Sequence, residues 1–533
     1  MASRKHIERI EAALAAGDIQ AALDQCQSRL RNRPDDSAIL VLQGRAFLTA
    51  EEFQATVDSL AKFTERSKAP ADAFLMHAYA LIQMQKPEDA FERVKSGLKA
   101  HPAHAELLQY AGLLADQLKQ PVESEAYFRK LTDIEPNRGD AQLGLGNALQ
   151  QQGRDDEALD AYRAAVAADP GNPSPLVNVA NLLGKKGDQS GAQAAYRDIL
   201  RSFPERGDVR ANLGASLVLS GDYTKALAAF DGYLQAFPDD FDVSLSRAKA
   251  YLKAGNAAES ARALTEMAVR FPGNPKVCPE LVNACLYMGE TAIAKSHLDS
   301  YLKRFPKSAD VYSSVSILHA ALHPGDSAKG AATLDAEIQP YDFTLPPGYA
   351  DIPAFLEAVC EAVYAHPSLM DAPPDHATRS GFHTGDLAKP PVAPPIADLI
   401  RAIKGHVRDY AARAASRANP FMDGLDLEAA GFNLWAVVMR EGGHQEAHIH
   451  PTARISGVVY GKVPSTIQDG PDRAGWIEFG RPHADFHQPD LLPTKFIKPV
   501  LGRIVLFPSY MYHETLPLGG TEHRISLAFD VVG

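Results

Sequence analysis

Apolar and polar positions in the first three hundred residues follow a repeat of 34 residues. Segments are broken by prolines at this constant interval, namely Pro102, Pro136, Pro170, Pro204, Pro238, Pro272 and Pro306. Half a unit away, glycines keep the same interval from Gly153 to Gly289, and in earlier units Glu51, Gln85 and Lys119 hold that position. A fixed period of this length predicts a series of helical hairpins.

The unit at residues 141–170 shows why such hairpins pack together. Gly146 is small where the two helices would approach closely, and Gly153 supplies the left-handed residue that ends the first helix. The packed face of the second helix carries Ala158, Tyr162 and Ala165. One hairpin cannot bury this face alone, but stacked neighbours can. The pattern therefore predicts an all-α solenoid.

This repeat resembles the tetratricopeptide family over about nine units, from the N-terminus to residue 310. The resemblance implies a superhelix whose concave side, lined by the first helices, receives an extended peptide or a protein tail. Asn178 and Asn212 hold equivalent first-helix positions and could hydrogen-bond such a peptide; the alternative is that both are solvated. A protein or peptide partner for the solenoid follows from the resemblance.

The repeat stops after Pro306. Residues 311–337 still read as helix, with a break at 323–327, and are expected to cap the solenoid. Closely spaced prolines then exclude a continuing helix. Two further helical stretches, 354–365 and 396–416, precede the last hundred residues.

From residue 432 onwards, short segments rich in β-branched and aromatic residues are broken by Gly, Pro and Asp. This pattern predicts an antiparallel sandwich or barrel, which the two preceding helices are expected to buttress. The fold class predicted for the chain is therefore α+β and multidomain. Its parts are a solenoid at 1–310, a cap or linker at 311–337 and a sheet domain at 338–533.

Composition and charge narrow the classes of function. With 45% hydrophobic and 23% charged residues, the chain is an ordinary globular one. A net charge of −12 argues against a nucleic-acid or anionic-membrane partner, since both need a basic face. The four cysteines form no CxxC pair, and no stretch approaches the roughly 20 apolar residues that span a bilayer. We therefore expect a cytoplasmic protein without nucleic-acid or membrane partners.

Three histidines near the C-terminus are candidates for a metal site. Alternate residues of a strand face the same side, so His448 and His450 can address one pocket. His513 follows an apolar run that would bury the strand presenting it. Imidazole suits Fe, Zn, Cu and Ni, and three imidazoles can form a three-point face on such an ion.

Arg524 and Ser526 lie on the last predicted strand, among apolar residues. Burying an arginine there is costly without an anion, and its fork matches a carboxylate in two parallel hydrogen bonds. Ser526, on the same face, can add a third bond. A bound carboxylate is thus predicted, with an internal Asp or Glu as the alternative partner.

The order of these parts resembles the iron(II)- and 2-oxoglutarate-dependent oxygenases, and more narrowly a subfamily marked by two motifs. The motifs read His448-Ile449-His450-Pro451 and Ser456-Gly457-Val458-Val459-Tyr460. The resemblance covers residues from about 338 to the end. It implies a double-stranded β-helix (jelly-roll) fold, iron(II) as the metal, and 2-oxoglutarate anchored by Arg524 and Ser526.

The chain departs from the wider family at one ligand. That family usually binds iron with His-x-Asp/Glu and a distal His, but His450 stands where the carboxylate would be. We favour His450 as the third ligand beside His448 and His513, because its side chain is on the correct side of the strand. Two alternatives stay open: a carboxylate from elsewhere, with Glu446 and Glu514 nearest in sequence, or iron held by two histidines alone.

Two other places with histidine are not expected to bind the metal. His483-Ala484-Asp485 spells the usual motif, but it ends only 28 residues before His513, too close for the strands between them. Its polar surroundings predict a surface turn. His383, in a polar, proline-rich stretch, is predicted to be a loop residue.

The function implied by the resemblance is an iron(II)- and 2-oxoglutarate-dependent dioxygenase, which hydroxylates a protein or peptide side chain presented by the repeats. Oxidative decarboxylation of 2-oxoglutarate to succinate would drive the reaction. Two alternatives remain. One is a three-histidine cupin-type metal dioxygenase that uses no 2-oxoglutarate, and the other is a non-catalytic protein-interaction scaffold.

Overall fold

The structure is a computed structural model that describes residues 2–64, 69–323, 327–371, 377–415, 419–470 and 472–533. Contacts divide the chain into two compact units, residues 1–199 and 200–533. The first unit is helical, and the second contains further helices followed by a sheet. The helix break expected at 323–327 falls largely on residues 324–326, which lie outside the described residues.

Helical hairpins make up the repeat region. Up to Arg304 the described residues form eighteen helices that pair in sequence as nine hairpins, which confirms the predicted repeat. The helices are α1 (Ala2–Ala15), α2 (Ile19–Asn32), α3 (Ser37–Thr49), α4 (Phe53–Thr64), α5 (Ala71–Gln83), α6 (Pro87–Ala100), α7 (Ala105–Gln117), α8 (Pro121–Ile134), α9 (Gly139–Gln151), α10 (Asp155–Ala168), α11 (Pro173–Lys185), α12 (Gln189–Ser202), α13 (Gly207–Leu219), α14 (Tyr223–Leu234), α15 (Phe241–Lys253), α16 (Ala257–Arg270), α17 (Val277–Tyr287) and α18 (Thr291–Arg304).

Each of these hairpins turns at a residue with positive φ. Six of the turn residues are glycines, from Gly17 with φ of 75° to Gly289 with φ of 76°. Glu51, Gln85 and Lys119 adopt the same conformation, with φ of 58°, 59° and 59°. The left-handed region costs roughly 1–2 kcal/mol for a residue with a Cβ. The turn geometry is thus kept even in the units that lack the glycine.

Close helix packing inside one hairpin explains another glycine. A Cβ placed on Gly146 of α9 would lie 2.5 Å from the ring of Tyr162 on α10. Tyr162, Ala158 and Ala165 have no exposed surface. The packed face predicted for this unit is therefore confirmed.

Five helices follow the repeats: α19 (Ala309–Leu322), α20 (Ser327–Glu337), α21 (Ile352–Tyr364), α22 (Pro394–Ala415) and α23 (Ser465–Asp469), and a 3-10 turn lies at Pro489–Leu491. Phe355 of α21 and Ile403 of α22 are fully buried in one core with Val459 and Leu527 of the sheet. The predicted buttressing of the sheet by two helices is thus confirmed. None of the helices in the described ranges is both long and apolar enough to cross a membrane.

Strands in the described residues are confined to the C-terminal part. They are β1 (Gln339–Asp342), β2 (Met370–Asp371), β3 (Thr378–His383), β4 (Gly431–His448), β5 (Ile455–Lys462), β6 (Ile477–Phe479), β7 (Lys495–Ile497), β8 (Arg503–Pro508), β9 (His513–Thr515) and β10 (Arg524–Val532). They form one antiparallel sheet in the order β1-β8-β5-β10-β4-β9-β6-β7, and β3 pairs with both β2 and β4. The predicted antiparallel sheet is confirmed, and its curled form is consistent with a double-stranded β-helix.

Strand β10 separates the core from a cavity. Its residues Ile525, Leu527 and Phe529 are buried in the core beneath α21 and α22. Because neighbouring residues of a strand face opposite sides, Arg524 and Ser526 line the cavity on the other face.

Candidate functional site

The three candidate histidines lie at one end of the long strand β4. His448 is the last residue of β4 and is the register partner of His513 in β9. His450 lies two residues beyond the strand, where its backbone N–H donates to Ser509 O over 3.0 Å. The strand alternation assumed from the sequence therefore does not extend to His450. This hydrogen bond holds its backbone instead.

The rings of these histidines converge. One ligand atom from each of His448, His450 and His513 lies within 4.8 Å of the others. Ring centroids are 4.2 Å apart for His448 and His513, 5.1 Å for His450 and His513, and 5.2 Å for His448 and His450.

Hydrogen bonds set the tautomer of all three rings. His448 Nδ1 donates to Glu446 O over 2.7 Å, and His513 Nδ1 donates to Met511 O over 3.0 Å. His450 Nδ1 donates to Asp530 Oδ1 over 2.7 Å. Since Nδ1 carries the proton in each ring, Nε2 keeps the lone pair that a metal would use.

Asp530 is a site residue that the sequence interpretation missed. Asp530 is 7% exposed, and Ser456 Oγ donates to the same Oδ1 atom over 2.6 Å. A carboxylate behind a ligating histidine fixes the ring orientation and raises the basicity of the ligand. The sequence could have indicated Asp530, because strand alternation places it on the same face of β10 as Arg524 and Ser526.

Burial keeps two of the rings neutral. It lowers the pKa of His448 to about 4, with a further lowering by the nearby His450. It also lowers the pKa of His513 well below its usual value, assisted by His448 and His450. Neutral imidazole is the form that binds metals, so neither ring needs to lose a proton near pH 7.

Arg524 is the largest fully buried side chain of the described residues and is 1% exposed. Its guanidinium donates to Gly475 O and to Met439 Sδ, and Nε has no partner. Burial lowers its pKa. In the described part of the chain no carboxylate pairs with it, so the alternative of an internal acidic partner finds no support there.

Two hydroxyl groups beside Arg524 also lack hydrogen-bond partners. They are Ser526 Oγ and the phenol oxygen of Tyr460, and the two residues face each other across β10 and β5. Tyr460 is 2% exposed, and burial raises its pKa to about 12, so its hydroxyl stays protonated. Tyr460 appeared in the sequence as part of a motif, but its role beside Arg524 was not foreseen.

These groups line one cavity with an empty volume of about 460 Å³, including its open mouth. Its lining joins the three histidines to Arg524, Ser526 and Tyr460, with Trp435, Val437, Ile477 and Phe507 as apolar walls.

The carboxylates considered as alternative ligands lie outside the histidine cluster. Glu446 forms an ion pair with Arg379 at 2.8 Å. Glu514 is the register partner of Glu478, and burial together with that neighbour raises its pKa. The described groups able to hold a metal are the three histidines.

The two other places with histidine, around His483 and at His383, lie outside the three-histidine cluster. His483 and Asp485 lie in a turn-rich stretch, as predicted, where their side chains pair at 3.3 Å. His383 is the last residue of β3 rather than a loop residue, and its ring stacks on Trp435 at 6.2 Å. Pairing of β3 with β4 explains the difference, because such long-range pairing overrides local composition.

Asn178 Nδ2, proposed for peptide binding, donates to Asn147 Oδ1 over 3.2 Å.

Family profiles match both parts of the chain. A profile described as "Putative 2OG-Fe(II) oxygenase" matches residues 433–530, which include all of the site residues named above from His448 to Asp530. Tetratricopeptide repeat profiles match residues 75–138, 117–183, 180–241 and 220–275.

Individual relatives match the repeats. Anaphase-promoting complex subunit 6 of Arabidopsis thaliana is 26% identical over 120 residues, and the match covers 22% of this chain and 22% of that protein. The C-terminal part of a TPR repeat-containing protein from Cytophaga hutchinsonii is 18% identical with a TM-score of 0.39, over 45% of this chain and 98% of that chain. YrrB, a TPR protein with an unusual peptide-binding site, is 18% identical with a TM-score of 0.32, over 34% of this chain and 93% of that chain.

The repeats and the C-terminal site are thus matched by different families. The chain is a fusion of tetratricopeptide repeats with a C-terminal domain that matches the 2OG-Fe(II) oxygenase family.

Proposed function

We propose that the C-terminal domain is an iron(II)- and 2-oxoglutarate-dependent oxygenase. His448, His450 and His513 are its metal ligands, and Arg524 with Ser526 anchors the distal carboxylate of the cosubstrate. The observation that carries this proposal is a buried guanidinium without a carboxylate partner, in the same cavity as three converging imidazoles.

The histidine cluster fits an iron ion. Three neutral nitrogen donors on one side of an ion leave its other positions free for cosubstrate and oxygen. The hydrogen bonds from Nδ1 of each ring hold the donor atoms in place before metal binds.

The arginine cluster fits a carboxylate. Arg524 Nε, Ser526 Oγ and the Tyr460 hydroxyl can all donate, and none of these three atoms has a hydrogen-bond partner among the residues that the structure describes. Leaving a buried charge unpaired is strongly destabilising, so a ligand anion would relieve a cost that the folded chain otherwise bears. A metal dioxygenase without an oxo acid would have no need of this cluster, which favours the 2-oxoglutarate reading over the cupin-type alternative.

When bound, iron(II) would supply oxygen activation coupled to the decarboxylation of 2-oxoglutarate. The residues of the chain hold and orient the reactants. Arg524 would hold the distal carboxylate of the cosubstrate, and Asp530 fixes the ring of His450 through its Nδ1. The apolar walls formed by Val437, Ile477 and Phe507 exclude water from the reacting end.

The substrate we propose is a side chain of a protein or peptide that the repeats capture. Tetratricopeptide repeats stack into extended concave surfaces suited to such ligands. This part of the proposal rests on the repeat family rather than on the site itself.

Succinate formation tests the proposal. Full-length protein supplied with iron(II), 2-oxoglutarate and oxygen should release succinate slowly even without a protein substrate, and His448→Ala should not. Iron-dependent oxygen uptake without succinate would favour the three-histidine dioxygenase. A wild-type protein that binds iron but releases no more succinate than His448→Ala would contradict the proposal.

A further inference from the structure

Residues 481–492, here called the docking segment, connect β6 to β7 and pack against the last helices of the repeats. Phe486 and Leu492 of this segment are buried in one cluster with residues of α16, α17 and α19. The surface turn predicted at His483-Ala484-Asp485 is present, with His483 and Ala484 exposed, and Phe486 directly after it is buried.

Asn283 of α17 binds the docking segment through its backbone. Its Nδ2 donates to Asp485 O over 3.1 Å, and its Oδ1 accepts from the backbone N–H of His487 over 2.8 Å. Asn283 is 1% exposed, and both hydrogen bonds are partly buried. The two bonds span residues i and i+2, which leaves Phe486 between them free to insert into the cluster.

Two further side chains, one on α15 and one on α17, also contact the docking segment. Lys253 of α15 pairs with Asp485 at 2.8 Å. The ring of Tyr287 lies 5.1 Å from that of His487, edge to face.

A short path leads from the docking segment to the metal site. Phe486 contacts Tyr512 with ring centroids 5.7 Å apart, and Tyr512 is the residue before His513. The backbone N–H of Gly480, which precedes the segment, donates to Tyr512 O over 2.9 Å. Phe479, the next residue back, is the register partner of His513.

Helix α19 supports the same stretch from the other side. Tyr510 packs on Tyr312 of α19 at a centroid distance of 5.4 Å. Tyr512 packs against the apolar cluster that contains Val311 and Ile317 of α19. Helix α19, which follows the repeats, thus packs on the residues that lead into His513.

We propose that Asn283 is a positioning residue for the metal centre. By clasping the docking segment it seats Phe486 against Tyr512, and this contact fixes the backbone that presents His513. The proposal rests on the proposed metal site and adds that the last repeats are required to shape it.

Cobalt(II) binding to the full-length protein tests the proposal, because cobalt(II) in a histidine site has visible absorption bands. Asn283→Ala should weaken cobalt(II) binding by about tenfold and change the shape of the bands. This is the low end of the range for groups that hydrogen-bond to metal ligands directly, because Asn283 acts on His513 through Phe486 and Tyr512. Asn181→Ala is the matched control. It removes the same side chain at the equivalent position three repeats earlier, where Asn181 accepts from the Tyr196 hydroxyl, and should leave cobalt binding unchanged.

Phe486→Leu is a second, milder variant in case Asn283→Ala does not fold. It keeps the cluster apolar but shortens the contact with Tyr512, so it should also weaken cobalt binding. Variants that lower the melting temperature yet keep wild-type cobalt affinity and bands would show that the docking is structural only, and would overturn the proposal. A wild-type protein that binds no cobalt would instead overturn the proposed metal site.

Discussion

The carboxylate that the wider family uses as an iron ligand has a counterpart behind the three histidines of this chain. His450 occupies the position where the wider family has Asp or Glu, and Asp530 accepts the proton of its Nδ1. Ser456 fixes the orientation of that carboxylate. The proposed metal site therefore has a carboxylate behind its third histidine, while three nitrogen atoms are available for the metal.

Replacing Asp530 tests this arrangement. Asp530→Asn keeps an acceptor for His450 but removes the charge, and we expect metal affinity to fall by about 10- to 100-fold. Asp530→Ala removes the acceptor too and should weaken binding further. Competition with a chelating dye measures both affinities. Asp398→Asn, a change in the ion pair with Arg401, is the control and should bind as wild type does. Wild-type affinity in Asp530→Ala would show that Asp530 does not support the site.

Sequence reasoning found the residues that carry recognisable chemistry and missed those defined by long-range contacts. His448, His450, His513 and Arg524 stood out because histidine pairs and a buried arginine need a reason to be there. Asp530 did not stand out, because its partner His450 lies 80 residues away. The carboxylates nearest in sequence, Glu446 and Glu514, were considered instead and lie elsewhere.

The sequence also predicted the helical hairpins of the repeats correctly. A period of 34 depends on contacts inside each hairpin and with its neighbours, so it survives where single residues change. Glu51, Gln85 and Lys119 therefore adopt the left-handed turn conformation without being glycine. By contrast, β6, β7 and β9 have three residues each, too few for an alternating pattern to be recognised.

Strain at these turns can be relieved by substitution. Gln85→Gly should raise the free energy of unfolding of the repeats by about 1 kcal/mol, because glycine adopts positive φ without a Cβ clash. Gln83→Gly is the matched control two residues earlier. Gln83 is exposed and is the last residue of helix α5, where glycine relieves no strain, so this substitution should not raise that free energy. Urea denaturation followed by circular dichroism measures both. Equal effects of the two substitutions would contradict the assigned turn.

Residues 200–533 form one compact unit that contains both the later repeats and the sheet. The sequence placed a boundary at 311–337 because the repeat pattern ends there. Contacts such as those of Asn283 with the docking segment, more than 200 residues apart, carry no signal in a local pattern. The domain boundaries at 310 and 338 therefore remain predictions about which pieces fold alone.

Buried neutral histidines make the metal-free protein sensitive to acid. The pKa of His77 and that of His448 are each lowered to about 4, chiefly by burial, whereas an unfolded histidine titrates near 6.5. Between these values the unfolded chain binds more protons, so stability is fully present above pH 6.5 and falls as the pH drops towards 4. The urea midpoint should be lower at pH 5 than at pH 7, and His77→Gln should reduce the difference. Identical midpoints at the two pH values in the wild type would contradict this.

The most direct test of the account is the binding of 2-oxoglutarate to the iron(II)-loaded protein without oxygen, followed by the visible absorption of the iron–cosubstrate complex. Wild type should show this absorption and saturate with 2-oxoglutarate. Arg524→Ala should still bind iron but need about 100-fold more 2-oxoglutarate, as expected for the loss of a buried ion pair worth a few kcal/mol. Arg524→Lys should restore little, because an ammonium group cannot reproduce the two-pronged contact. An iron-loaded wild type without the absorption would contradict the oxygenase proposal, and an Arg524→Ala variant that saturates like wild type would contradict the role given to Arg524.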